Sequence, residues 1–151
     1  MTYSDLKLQT SMLLTSENRL PQDENMIKAS LRFAYIELAD MATPLRWLTK
    51  NKDYGIIRQG PGDYLVRMPE MPIDNTDELD IDSELVPAVA RMLASYIAKD
   101  IRIKQYHRML AEQLMKRYDS KVREFMLSEE QKGKYDEFGV DAVTLEGVPN
   151  A

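Results

Sequence analysis

The sequence predicts a mainly α protein, a helical bundle with a small inserted β-hairpin and an extended C-terminal tail. Three observations lead there. Apolar residues recur at helical spacing over residues 26–41, 83–98 and 101–125. Residues 54–68 are instead rich in strand formers on either side of a Gly-Pro-Gly-Asp turn. Past residue 128 the helical stripe gives way to an acidic segment with scattered valines.

Residues 3–15 predict a short first helix with Leu6, Leu13 and Leu14 on its apolar side, and residues 16–22, with Asn18 and Pro21, a loop. Asp23 is placed to cap the next helix. Its stripe is Ile27, Leu31, Ala34, Leu38 and Met41, with Lys28, Arg32 and Tyr35 on the other side. Thr43-Pro44 ends that helix, because the residue before a proline avoids helical geometry. Residues 54–59 and 64–68 form the two arms of the hairpin, joined through Gly60-Pro61-Gly62-Asp63. A lone hairpin is marginal, so it must pack on the helices, and Trp47 is the expected plug at that junction. Pro69 and Pro72 then lead into an acidic loop.

The helix starting near Asp82 or Ser83 is apolar almost all round, through Leu85, Val86, Val89, Met92, Leu93, Tyr96 and Ile97. Such a helix belongs in the middle of a bundle. Ala90, Ala94 and Ala98 let a neighbour approach closely, and Pro87 is tolerated in the first turn, where backbone donors lack partners. The following helix has Ile103, Tyr106, Leu110, Leu114, Tyr118, Val122 and Phe125 as one stripe. Either Asp100 caps it after a break near Lys99, or the two helices form one rod. A break is expected, since one rod would be long for a small domain. Ser128-Glu129-Glu130-Gln131 suggests a further short helix ended by Gly133 or Gly139, with 139–151 mostly extended. The organisation expected is a helical domain over 1–127, with the hairpin at 54–68, and a docking tail over 128–151.

At 151 residues, with 44% hydrophobic and 30% charged residues, the chain fits one globular domain. The absence of cysteine excludes disulfides and thiolate chemistry. The first residues lack the basic start and apolar run of a signal peptide. The longest apolar stretch, interrupted by Arg91, is too short to cross a bilayer, so no membrane partner is expected. A net charge of −5 argues against a broad nucleic-acid surface.

The charge is segregated. Residues 70–84 carry seven acids and no base; 99–123 carry eight bases against three acids; 124–151 carry seven acids against Lys132 and Lys134. Such blocks are either solvated faces or complementary surfaces.

Little in the sequence suggests chemistry. The lone histidine, His107, reads as a packing or surface residue, and no triad accompanies it. Gly60-Pro61-Gly62 lacks the lysine and helix of a phosphate loop. The acidic loop lacks the glycine and terminal glutamate of a calcium-binding EF-hand, so helix capping and solvation are expected there. No enzyme activity, catalytic residue, metal or cofactor is expected. Of the ten methionines, Met12, Met26, Met41, Met68, Met92, Met109 and Met115 are expected to fill core gaps. A methionine-rich binding groove is the sharper alternative.

The order of these pieces resembles the head–tail adaptor (connector) proteins in the neck of tailed bacteriophages. The residues that carry the likeness are Tyr64-Leu65-Val66-Arg67-Met68-Pro69, Asp77-Glu78-Leu79-Asp80-Ile81-Asp82, Ala94-Ser95-Tyr96 and Lys116-Arg117-Tyr118-Asp119, within residues 23–125. The resemblance implies a virion protein, made in the host cytoplasm and assembled as a ring, usually of twelve copies. The ring joins the portal protein to the next neck or tail protein, and double-stranded DNA passes through its lumen without specific binding. It also implies a C-terminal segment that docks on the portal, here with Phe138, Val140, Val143 and Leu145 as anchors. A closed ring requires a head-to-tail contact. The charge blocks suggest that Asp77, Glu78 and Asp80 of one subunit face Arg108, Lys116 and Arg117 of the next. The alternative reading is a helical protein–protein interaction or regulatory module outside any virus.

Overall fold

Four α-helices and a three-stranded antiparallel sheet make up the fold among the described residues. The computed structural model describes residues 1–15 and 19–138, with side chains placed through Glu129. The chain divides into two units, Met1–Asp119 and Ser120–Ala151.

The first helix, α1, spans Tyr3–Leu13 and starts with a capping box. The Thr2 hydroxyl accepts from the Asp5 N–H, and the Asp5 carboxylate accepts from the Thr2 N–H. Its buried side is Tyr3, Leu6 and Thr10, not Leu6, Leu13 and Leu14. Thr10 is admitted to the core because its hydroxyl donates to the Leu6 carbonyl at 2.8 Å, whereas the helix stops at Leu13, leaving Leu13 and Leu14 only half-buried. Helix α2, Glu24–Met41, begins at Asp23 as expected, with the Asp23 carboxylate accepting from the Asn25 N–H. Ile27, Leu31, Ala34 and Leu38 are buried. Tyr35 is buried as well, against the sequence reading, because its ring packs edge-on against Trp47 with centroids 5.4 Å apart.

Trp47 is fully buried in a 3-10 turn, Leu45–Trp47, at the junction expected of it. The hairpin forms from β2 (Ile56–Gln59) and β3 (Leu65–Arg67), and a short strand β1 (Leu48–Thr49), not expected from sequence, pairs with the other side of β3. Two glycines make the connection possible. Gly62 sits at φ +59, where an L side chain is strained, and a Cβ on Gly60 would lie 3.1 Å from a Leu48 methyl.

The acidic loop ends in a 3-10 turn, Ser83–Leu85, that runs into α3, Val86–Ile97. This helix is the centre of the bundle: Val86, Ala88, Val89, Ala90, Met92, Leu93 and Ala94 are all buried, and both α1 and α2 pack on it. Each large apolar side chain buried in this way contributes roughly 1.5–3 kcal/mol. Asp82 does not cap it. Its carboxylate instead accepts from the Leu45 N–H and the Tyr118 hydroxyl.

The chain breaks after α3, where Ala98 is extended, and α4 begins at Ile101 with Asp100 accepting from the Arg102 N–H, as expected. The buried residues of its first half are His107, Ala111, Met115 and Tyr118. The expected stripe is thus shifted: Ile103, Leu110 and Leu114 flank the contact, and Tyr106 is exposed. Small Ala111 and flexible Met115 allow close approach, while the Tyr106 ring receives the Arg91 guanidinium at 5.8 Å. The helix also does not stop near residue 125. It spans Ile101–Phe138 in one piece, passing through Gly133, so no separate helix starts at Ser128. One interior glycine costs about 1 kcal/mol, which a long helix tolerates.

The methionines divide. Met92 and Met115 are buried and Met41 is half-buried, but Met12, Met26, Met68 and Met109 are exposed, Met12 to 77%. Met12, Met26 and Met109 lie on sides of their helices away from the buried residues, and Met68 follows the end of β3.

Candidate interaction surfaces

The acidic loop is stitched into the chain by its own carboxylates. Asp77 accepts from the N–H groups of Ile73 and Asp74 at 2.7 and 3.0 Å, and Asp74 accepts from the N–H and hydroxyl of Thr76. The Thr76 bonds hold the Asp74 carboxyl below its ordinary range. The first residues of the chain lie along this loop. The Tyr3 and Ser4 N–H groups donate to the Asp77 and Asn75 carbonyls, Leu79 donates to Met1, and the Met1 ammonium pairs with Glu78 at 2.9 Å.

Asp80 has the most committed carboxylate. It takes both Arg67 guanidinium nitrogens, at 2.6 and 2.7 Å, and the Glu70 N–H at 2.8 Å. The fork-to-fork geometry is the strong form of the ion pair. The Asp80 carbonyl receives the Trp47 indole N–H, and Arg46 donates to the Leu79 and Ile81 carbonyls. An open cavity of about 550 Å³ lies over this knot, lined by Arg46, Arg67 and residues of the loop. Both of its cations are already bonded. No group of three or more His, Asp or Glu is placed to hold a metal ion among the described residues.

The basic helix is partly committed in the same way. Arg108 bonds to Glu37 on α2 and to Glu112 one turn on, at 3.0 Å. The Tyr96 hydroxyl also donates to Glu37. Arg108 pulls the Glu37 carboxyl below its usual range, and burial together with Glu37 pushes the Tyr96 hydroxyl up. Lys104 donates to the Ser95 and Tyr96 carbonyls, satisfying the C-terminal end of α3. His107 is buried, with Nδ1 3.0 Å from the Arg91 guanidinium. The imidazole must accept there, so it is neutral, and burial and then Arg91 lower its pKa.

Of the residues expected to join subunits, Asp77, Asp80 and Arg108 are therefore engaged within the chain, and Glu78 meets the N-terminus. Lys116 and Arg117 are exposed and form no ion pair among the described residues. Phe138 is the last residue of α4. Val140, Val143 and Leu145 lie outside the described residues.

Two apolar surfaces escaped the sequence reading. On α2, Met26, Phe33 and Ile36 are exposed at helical spacing on the side opposite the buried stripe, Phe33 to 65%. The signal was present as a second stripe at i, i+7 and i+10. On α4, Phe125 and Leu127 are 50% and 58% exposed. Phe125 belongs to the stripe that the sequence pattern predicts as core, and it is exposed instead. No family model matches this chain, and neither a curated protein nor a solved structure is similar to it.

Proposed function

We propose that this protein is a structural adaptor of the bacteriophage neck. Copies form a ring that joins the portal protein to the next neck or tail protein, and duplex DNA passes through the lumen without being read. The observation that carries the reading is α4. Its first half is fastened to the bundle through His107, Lys104, Arg108 and Tyr118. The rest, from Ser120, belongs to a separate unit with exposed Phe125 and Leu127. A helix that is anchored at one end and apolar but uncovered further on is suited to holding a second protein. In this role the bundle is the body, and the segment bearing Phe138, Val140, Val143 and Leu145 is the portal anchor.

The test is mass measurement of the full chain mixed with portal protein. A portal-bound ring is expected, and deletion of residues 139–151 should abolish binding while leaving the thermal unfolding of the bundle unchanged. A chain that stays monomeric or dimeric with every portal tried, and binds another protein instead, is the interaction module of the alternative reading.

A further inference from the structure

The outward side of the first half of α4 combines apolar and basic side chains. Tyr106 and Met109 are exposed there beside exposed Arg102, Lys116 and Arg117. At 100° per residue Arg102, Tyr106, Met109, Lys116 and Arg117 fall on the side away from His107, Ala111, Met115 and Tyr118. Of the acids nearby, Glu112 is bonded to Arg108, Asp100 accepts from the Arg102 N–H, and Asp119 is engaged as well. The later part of the same helix has the complementary composition. From residue 124 to 138 there are five acids and two bases, and Glu124 and Glu129 are exposed alongside Phe125 and Leu127.

We infer that the acidic part of α4 in one copy, beginning at Glu124, lies on the basic and apolar outer side of residues 101–117 in the next copy. The inference rests on the reading that copies assemble, and it names the surfaces by which they do so. Each copy offers one surface and receives the other, which is the heterologous contact a ring needs. The acids of the loop at 70–84 are largely bonded within their own chain. Glu124 gives the exposed cations Lys116 and Arg117 a partner of opposite sign, with Leu127, three residues on and so on the same side as Glu124, set against Tyr106 and Met109. Two partly exposed apolar side chains on one partner and one on the other fall well short of the roughly 800 Å² that each partner of a stable interface buries. The contact is therefore weak in the free protein, depends on charge, and gains strength when a portal gathers the copies.

Because the chain has no cysteine, introduced thiols can trap a weak contact cleanly. One preparation carries Met109→Cys or Gln113→Cys, and a second, size-tagged preparation carries Leu127→Cys. They are mixed and oxidised. At least one pairing should give a mixed disulfide dimer at roughly tenfold the yield obtained with Asn51→Cys, an exposed control position. Lys116→Glu with Arg117→Glu should remove that excess, and Glu124→Lys in the partner should restore it. Yields no higher than the control for every pairing, or a charge reversal with no loss or no rescue, overturn the inference. A chain that cross-links as expected but binds no portal keeps this contact and loses the adaptor reading. A chain that binds portal as a ring without the cross-link does the reverse.

Discussion

Arg67→Ala removes one half of the bond between the sheet and the acidic loop. Both side chains of that bond are 15% exposed, and the Asp80 carboxylate receives three hydrogen bonds among the described residues, two of them from Arg67. After the substitution a largely buried carboxylate retains the single Glu70 N–H. Breaking a buried pair by deleting one partner costs about 3–5 kcal/mol, most of it the desolvation of the charge left behind. Since some solvent reaches this site, the lower end applies, about 3 kcal/mol. For a chain of this length that lowers Tm by roughly 6–12 °C. The assay is urea and thermal unfolding followed by circular dichroism, with the exposed Arg58–Asp40 pair, at 3.9 Å, as the internal comparison. Arg58→Ala should cost no more than about 0.5 kcal/mol. A loss below about 1 kcal/mol for Arg67→Ala, or equal losses for the two variants, would refute the assignment of Arg67–Asp80 as the bond that holds the loop.

His107 gives the protein a pH dependence of definite sign. Its folded pKa lies below the ordinary 6.5, so the unfolded chain binds the proton first. The stability it contributes is complete above pH 6.5 and is lost as pH falls from there through the folded value, with a slope of at most about 1.4 kcal/mol per pH unit. His107→Gln should flatten unfolding free energy against pH just below 6.5; an unchanged slope means that the imidazole is protonated in the fold. The methionines supply a pair of opposites: Met92→Ala should cost about 2–5 kcal/mol in chemical denaturation and Met12→Ala within about 0.5. Similar losses for both would show that Met12 is covered.

Local features of the fold were legible in the sequence, and long-range ones were not. Gly60-Pro61-Gly62-Asp63 announces a hairpin because its backbone needs a positive φ, and Asp100 announces a helix start because its carboxylate can reach a free N–H. Trp47 was legible as a plug because so large a side chain between two apolar elements has few other places to go. The side of α4 that packs was misplaced because Tyr106 and Phe125 look like core residues, while Ala111 and His107 do not. A helix can be drawn closer by small residues, and a tyrosine can serve at the surface as a seat for an arginine. Tyr35 was misplaced for the related reason that its burial depends on Trp47, twelve residues on. The destinations of the acids were hidden entirely. Nothing near Asp80 in the sequence points to Arg67, and nothing near Glu78 points to Met1. The candidate surfaces were visible only as blocks of charge, and which charges remain available depends on those internal bonds.

Trp47 also has an experimental consequence. It is the one indole in the chain, sealed against Tyr35 and bonded to the backbone of Asp80. The intrinsic fluorescence of this protein therefore reports from a single place, the seam where sheet, second helix and acidic loop meet. A red shift of emission that precedes loss of helical signal would time the release of that loop without any label.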